Sequence, residues 1–338
     1  MDDGTLVAAA SGLRTEHACP FGRNVICISR DEGKTWSSPR VVNDSPLDDR
    51  DTGVISLGGP GLLLSWFTTD KRGRAERKYP DRAESLRPGL DWVTDENAQR
   101  WVGAWICTSD DGGETWRPPV KVPLTAPHGP IRLQTGELLY FGKEFGADME
   151  GFVKGIGAIA AMKSTDGGRT WEELGKVPLY KGTKEGNYHE PHVAEYPDGR
   201  LIGLIRFENA RGEVDTHGLE RFTIFQSVSS DGGRTWSRAE SLGFHGSPPH
   251  VMVHSSGALV CVYGYRLGPF GQHAMISRDG GKSWEFDYIV RDDGPDFDLG
   301  YPASVELDDG SLLTLYYQKR ESSQEKCSLL WTRWRLPK

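Results

Sequence analysis

Tyr301 and Glu190 are the two residues on which covalent chemistry can rest. A phenol is a poor nucleophile at its ordinary pKa near ~10 and needs an adjacent base, which a carboxylate supplies. Arg14, Arg50, Arg206 and Arg266 carry guanidinium forks, the side chain best suited to holding a carboxylate through paired N–H bonds. Glu16 and His17, within RTEHACPFG, are candidates for a general acid and base, and His has the pKa suited to neutral pH. The run DDRD, Asp48 to Asp51, adds Asp51 as another acid/base candidate and Asp49 as a substrate contact. The bland reading of that run is a turn with a surface ion pair. His128, His192 and His250 are read as hydrogen-bonding partners for substrate hydroxyls. Together with His189 they show no HxxxH pair, so a metal centre is the minor reading and no cofactor is expected.

These residues become a site only if the elements carrying them repeat. One octapeptide, S-x-D-x-G-x-[TS]-W, occurs five times: Ser29–Trp36, Ser109–Trp116, Ser164–Trp171, Ser229–Trp236 and Ser277–Trp284. Repetition at module spacing defines a repeat architecture. In each copy the Asp can accept backbone N–H bonds across a tight turn, the following Gly supplies a position with φ > 0, and the Trp can staple the turn to neighbouring strands. One or two carboxylates per copy fall short of the 6–8 oxygens calcium takes. Between the boxes lies a second repeat, a pair of apolar strands about a Gly turn, as in EPHVAEYPDGRLIGLIR (Glu190–Arg206) and YPASVELDDGSLLTLYYQ (Tyr301–Gln318). Four strands per module and six modules predict an all-β, six-bladed β-propeller over residues 1–338. The chain opens at the turn of the first strand pair, so the first blade is expected to lack its innermost strand and a fuller chain is expected to begin upstream.

Topology then places the residues. The two inner strands of a blade form a hairpin, so the start of the first and the end of the second share one face, and the octapeptide lies on the opposite face. Glu190 stands nine residues before the turn Gly199, and Tyr301 nine before Gly310; Asp51 or its neighbours fill the matching slot of the second module. Arg14, Lys143, Arg206 and Arg266 end second strands. A central funnel lined by these residues is expected to favour an anionic ligand. The segment from Thr68 to about Gln99 is long and charged, which predicts a lid or disorder, with a short helix opening at Thr94.

Composition sets the outer limits. The chain has 338 residues, 37% of them hydrophobic, with no apolar run near the ~20 a membrane helix needs. A net charge of −8 argues against nucleic acid as a partner. The five cysteines, Cys19, Cys27, Cys107, Cys261 and Cys327, are widely spaced and read as scattered thiols of a reducing compartment. With no signal-peptide pattern at the N-terminus, a cytoplasmic location is the expectation.

The octapeptide resembles the Asp-box of sialidases (neuraminidases) and related BNR-repeat proteins, and the strand pairs resemble that superfamily over essentially the whole chain. The resemblance implies a retaining exo-glycosidase in which Tyr301 is the nucleophile and Glu190 its partner, the known exception to the two-carboxylate rule. It implies that Arg206 is the central member of an arginine triad clamping the substrate carboxylate. Arg266 is a further member by position, though its spacing to the last box is a few residues long and Gly271–Ala274 stand where that Arg is expected. The third triad Arg belongs to a strand ahead of this sequence. Sialidases place an acid/base Asp before the first box, where this chain has Glu16 and His17.

Three functions follow as expectations. The first is removal of a terminal acidic sugar, foremost an α-linked sialic acid. The second is a propeller glycosidase or lyase on a uronic-acid-type glycan with His17 as acid/base. The third is a non-catalytic glycan-binding propeller, since Asp-boxes mark the fold and function lives in the site.

Overall fold

The computed structural model describes residues 1–14, 17, 19–73, 77, 80–147, 153–154, 157–209 and 218–337. The five octapeptides fold into one recurring turn. In the fourth, Asp231 accepts the Thr235 N–H at 2.9 Å and the Thr235 hydroxyl at 2.6 Å. The Ser229 hydroxyl donates to Asp231 and accepts the Gly233 N–H, both at 2.9 Å. The same Asp bonds recur in the other four boxes. Hydrogen bonds from the residue four places on hold Asp31, Asp166 and Asp231 down at about 2. The fifth residue of every box is a left-handed glycine, with φ from 82° at Gly33 to 91° at Gly168. In four boxes the Trp Nε1–H donates to that glycine's carbonyl at 3.0–3.2 Å. The fifth differs: Trp284 donates to the Gln226 side chain at 2.7 Å.

Six antiparallel sheets, one per module, are the blades of a six-bladed β-propeller. The chain divides into two compact units: residues 1–132, 144–157 and 164–171, and residues 133–143, 158–163 and 172–338.

In the first unit, the first sheet pairs Leu6–Gly12, Arg23–Ser29 and Arg40–Asn43. Its box joins the second of these to the third. The sheet therefore holds counterparts of a blade's second, third and fourth strands, and no described strand stands in the innermost place. The second sheet is complete: Asp48–Gly58, Gly61–Thr69, Gly103–Ser109 and Val120–Val122. Leu64, Trp66, Trp105 and Cys107 form a buried core together with Ile26 of the first sheet. The segment after Thr69, for which a lid or disorder was expected, has regular structure among its described residues. It contains helices Ala83–Leu90 and Asp95–Trp101. Thr94 caps the latter by accepting the Asn97 N–H, as its sequence predicts. Ala98 and Val93 bury against Leu47, which fastens the segment to the chain just ahead of DDRD.

In the second unit, the fourth sheet runs Tyr188–Glu195, Leu201–Glu208, Phe222–Ser229, Glu240–Ser241. The fifth runs Pro249–Val253, Leu259–Tyr265, Phe270–Ser277, Glu285–Gly294, and the sixth Gly300–Glu306, Leu312–Gln318, Ser328–Trp334. The third module's strands Leu138–Glu144, Ile159–Ser164 and Glu172–Lys176 lie mostly here too. Alternating residues of the fourth and fifth sheets, including Ile202, Leu204, Ile224, Val251, Cys261 and Met275, make one core between them. Trp236 is buried by stacking on Phe141, ring centroids 4.5 Å apart.

The box tryptophan is thus a core residue as well as a turn clasp. Trp236→Ala is expected to lower unfolding free energy by about 3–5 kcal/mol in urea titration, the range for deleting a buried aromatic.

Candidate functional site

Three innermost strands carry the same irregularity at the same place. Between Arg50 and Gly53, His189 and His192, and Gly300 and Ala303, two residues oppose one on the neighbouring strand. The first residue of each bulge is Asp51, Glu190 or Tyr301, with φ of 52°, 44° and 51°. Left-handed backbone is uncommon outside glycine, and holding such a residue there costs about 1–3 kcal/mol. A bulge re-aims a side chain, and strain of this kind clusters at functional sites. In the fourth sheet Leu201 pairs with Ser229, where the box begins, while Arg206 pairs with His189 beside the bulge. Within that blade, box and bulge occupy opposite ends, as the hairpin argument predicts.

The second unit brings Tyr301, Glu190 and Arg206 together. The Tyr301 hydroxyl donates to Glu190 Oε1 at 2.5 Å, and Arg206 Nη1 donates to Glu190 Oε2 at 2.6 Å. Arg206 Nη1 lies 3.4 Å from the Tyr301 oxygen. Burial pushes the Glu190 carboxyl up, but the Arg206 charge and the hydrogen bonds from Tyr301 and Arg206 outweigh it and leave it below the usual range. Burial likewise disfavours the Arg206 charge, and Glu190 more than restores it. His189 is held low by burial, so it is neutral beside the pair. A phenol whose proton points at an ionised carboxylate is the arrangement a tyrosine nucleophile needs. Arg206 Nη2 makes a second ion pair, with Glu208 Oε2 at 3.0 Å. Arg266 stands over the Tyr301 ring at 6.0 Å, its Nε and Nη2 both donating to the Leu299 carbonyl at 3.1 and 2.9 Å.

The first unit holds a separate cluster. Arg14 grips Asp48 with both Nη atoms, at 2.6 and 3.1 Å, and Arg50 adds a third bond at 3.0 Å. Both arginines also donate to the backbone carbonyl of the exposed His17, at 2.9 and 3.1 Å. Gly22 makes room: a Cβ there would come within 2.1 Å of Arg14 Nη1 and 2.5 Å of Asp48 Oδ1. Glu16 lies outside the described residues.

Several expectations need correction. Asp49 is fully buried and does not face a ligand. It accepts bonds from Asn43 Nδ2, the Ser45 N–H and hydroxyl, and the Thr68 hydroxyl, so it ties the strand start to its flanks. The one-residue alternation of a strand turns Asp48 towards the arginines and Asp49 inward. His192 and His250 stack at 4.5 Å and serve the framework: His192 Nδ1 accepts the Val251 N–H and His250 Nδ1 the Ser304 N–H. Their Nδ1 atoms are therefore committed to backbone, not to substrate hydroxyls. His128 is buried, and its backbone packs against Gly53, where a Cβ would lie 2.4 Å from the His128 carbonyl carbon. Glu208 was not among the sequence expectations, nor was the pairing of Asp48 with Arg14 and Arg50. The i, i+2 spacing of Arg206 and Glu208 on one strand face was the available signal for the former.

Comparison with known proteins agrees with this architecture. The BNR repeat-like domain family model matches residues 91–314, and the chain belongs to that family. Among solved structures, a protein of unknown function from Dyadobacter fermentans is 23% identical, with TM-score 0.73 over 98% of this chain and 91% of that one. The NanB sialidase of Streptococcus pneumoniae is 13% identical, TM-score 0.66, over 99% of this chain and 67% of its own. An intramolecular trans-sialidase from Ruminococcus gnavus is 16% identical, TM-score 0.64, over 99% and 93%. At these identities the likeness shows the fold, a sialidase-type propeller. No curated protein gives a significant match.

Glu190 and Asp49 predict opposite pH responses. Glu190, depressed in the folded state, contributes stability above its ordinary pKa of 4.5 and loses it as pH falls through the lower folded value. Glu190→Gln is expected to cost about 3 kcal/mol at neutral pH, a deficit that shrinks in urea titrations carried out below pH 4.5. Asp49 is pushed up to about 6 by burial, so the folded state loses stability as pH rises towards 6. Carboxyl-carbon NMR is expected to show Asp49 titrating near that pH.

Proposed function

We propose that the protein is a sialidase-like exo-glycosidase that removes a terminal sugar with retention through a Tyr301 adduct. The observation that carries this reading is the 2.5 Å hydrogen bond from the Tyr301 hydroxyl to an ionised Glu190, made from left-handed bulge positions in two different blades. In the first step Glu190 takes the phenol proton, Tyr301 Oη bonds to the anomeric carbon, and the glycosidic bond breaks. A general acid protonates the leaving oxygen; Glu16, His17 and Asp51 are the sequence candidates. In the second step water attacks the same carbon and gives a proton back to the residue that acted as general acid, the Tyr301–sugar bond breaks, and Glu190 returns the other proton to the phenolate. The sequence resemblance points to an acidic sugar, an α-linked sialic acid first, as the substrate.

One observation favours a second reading, in which the same chemistry acts on a different sugar. Arg206, matched to the carboxylate clamp, already lies between Glu190 and Glu208. That occupancy favours a sugar presenting hydroxyls at this edge; the uronic-acid-type glycan expected from the sequence carries a carboxylate and is not favoured by it.

A panel of fluorogenic sialosides, uronides and neutral hexosides tests the reaction. Tyr301→Phe is expected to lower kcat/KM on any turned-over substrate by more than about 100-fold with the fold intact. Retained turnover in that variant would sink the nucleophile assignment. Glycan-array binding without turnover of any substrate would instead leave a non-catalytic propeller.

A further inference from the structure

Arg206 and Glu208 stand two residues apart on the strand Leu201–Glu208 and so project from the same face. Nη1 of Arg206 is engaged by Glu190 and Nη2 by Glu208. Its Nε is buried with no partner among the described residues, beside the Phe222 ring, whose centroid lies 5.5 Å from the guanidinium carbon. Both outer nitrogens of the fork therefore already hold a carboxylate of this chain. The neighbouring cations are also committed: Arg266 to the Leu299 carbonyl, and Lys143 Nζ to the Glu185 carbonyl at 2.6 Å.

An incoming carboxylate aimed at Arg206 would meet this arrangement as a third anion on one cation. At ion-pair separations, like charges near a protein surface repel, which weakens such binding. A sugar hydroxyl meets it differently. Glu208 is partly exposed, and its Oε1 has no donor among the described residues. That oxygen can accept an O–H bond, while an adjacent hydroxyl oxygen can accept from Arg206. A vicinal diol satisfies both at once.

We propose that Glu208 sets the sugar specificity of the Tyr301 site: it fills the anion-binding edge of Arg206, so that edge selects a sugar presenting hydroxyl groups and rejects one presenting a carboxylate. This deepens the glycosidase reading and rests on it for the identity of the ligand as a sugar. It also departs from the acidic-sugar expectation, which assumed that Arg206 was open.

The test is a binding measurement that needs no turnover, so it stands or falls separately from the Tyr301→Phe result. The full chain and its Glu208→Gln and Glu208→Ser variants are titrated by NMR with the methyl α-glycoside of N-acetylneuraminic acid, methyl glucuronoside and methyl glucoside. Melting temperatures confirm that each variant is folded; the serine variant serves if the glutamine does not fold. The expected result is at least a tenfold gain in affinity for one or both carboxylate sugars on losing the Glu208 charge, with no such gain for the glucoside. Overturning results are equal or weaker carboxylate binding in the variants, or no detectable carboxylate binding in any of them. Either would mean that Glu208 swings aside or that the edge does not meet the sugar.

Discussion

A left-handed, two-against-one bulge at the start of an innermost strand is the constraint on which the site depends. An ordinary strand sends successive side chains to opposite faces and none along its own end. The extra residue breaks that alternation and lets Glu190 and Tyr301, from different sheets, meet at hydrogen-bond distance. Neither residue adopts φ > 0 readily, so the conformation persists only because the surroundings fix it. Pro191 and Pro302 stand in the second bulge positions, where their missing N–H removes no ladder bond. Gly300 and Gly264 let backbones come close beside Tyr301; a Cβ on Gly264 would lie 3.0 Å from the Gly300 Cα.

The opposite end of the blade supplies the rigidity that this strain requires. Each box fixes its turn with side-chain and backbone bonds that stay within a few residues, then drives a tryptophan back towards the strands. Such local bonds are cheap in chain entropy, because the groups they join are already close in sequence. The histidine stack does the equivalent between sheets: His192 and His250 each accept a backbone N–H from the next innermost strand. A strained end can be held against a stapled end because the sheet between them is a continuous ladder.

This division explains what the sequence makes legible. The box chemistry is local, so five copies announce the fold, its turns and the left-handed glycines without any knowledge of packing. The turn glycines then act as a ruler: counting nine residues back from Gly199 and Gly310 lands on Glu190 and Tyr301, and the shared bulge shows that the count identifies equivalent positions. Polar partners resist this method. Asp48 and Asp49 are neighbours of identical type, and only the strand's alternation separates an arginine partner from a buried hub. His192 and His250 look like ligand contacts because nothing in their local sequence shows that a neighbouring backbone N–H will claim them. Glu208 reads as an unremarkable strand-end acid until Arg206 is seen to face it.

The charge arithmetic around Arg206 also bears on how Tyr301 would be readied in the proposed reaction. A lone Glu190 in this half-buried setting would be pushed towards its neutral form and would no longer accept the phenol proton. Arg206 reverses that, so the guanidinium acts first as the base's counter-ion. Whatever else it binds must leave that bond intact, because a ligand that drew Arg206 away would raise Glu190 at the moment its basicity is needed. Glu208 anchors the other side of the same fork and so resists such a displacement. In the proposed reaction the preparation of Tyr301 and the selection of the sugar would therefore be coupled through one side chain, with the two carboxylates fixing its position from either side.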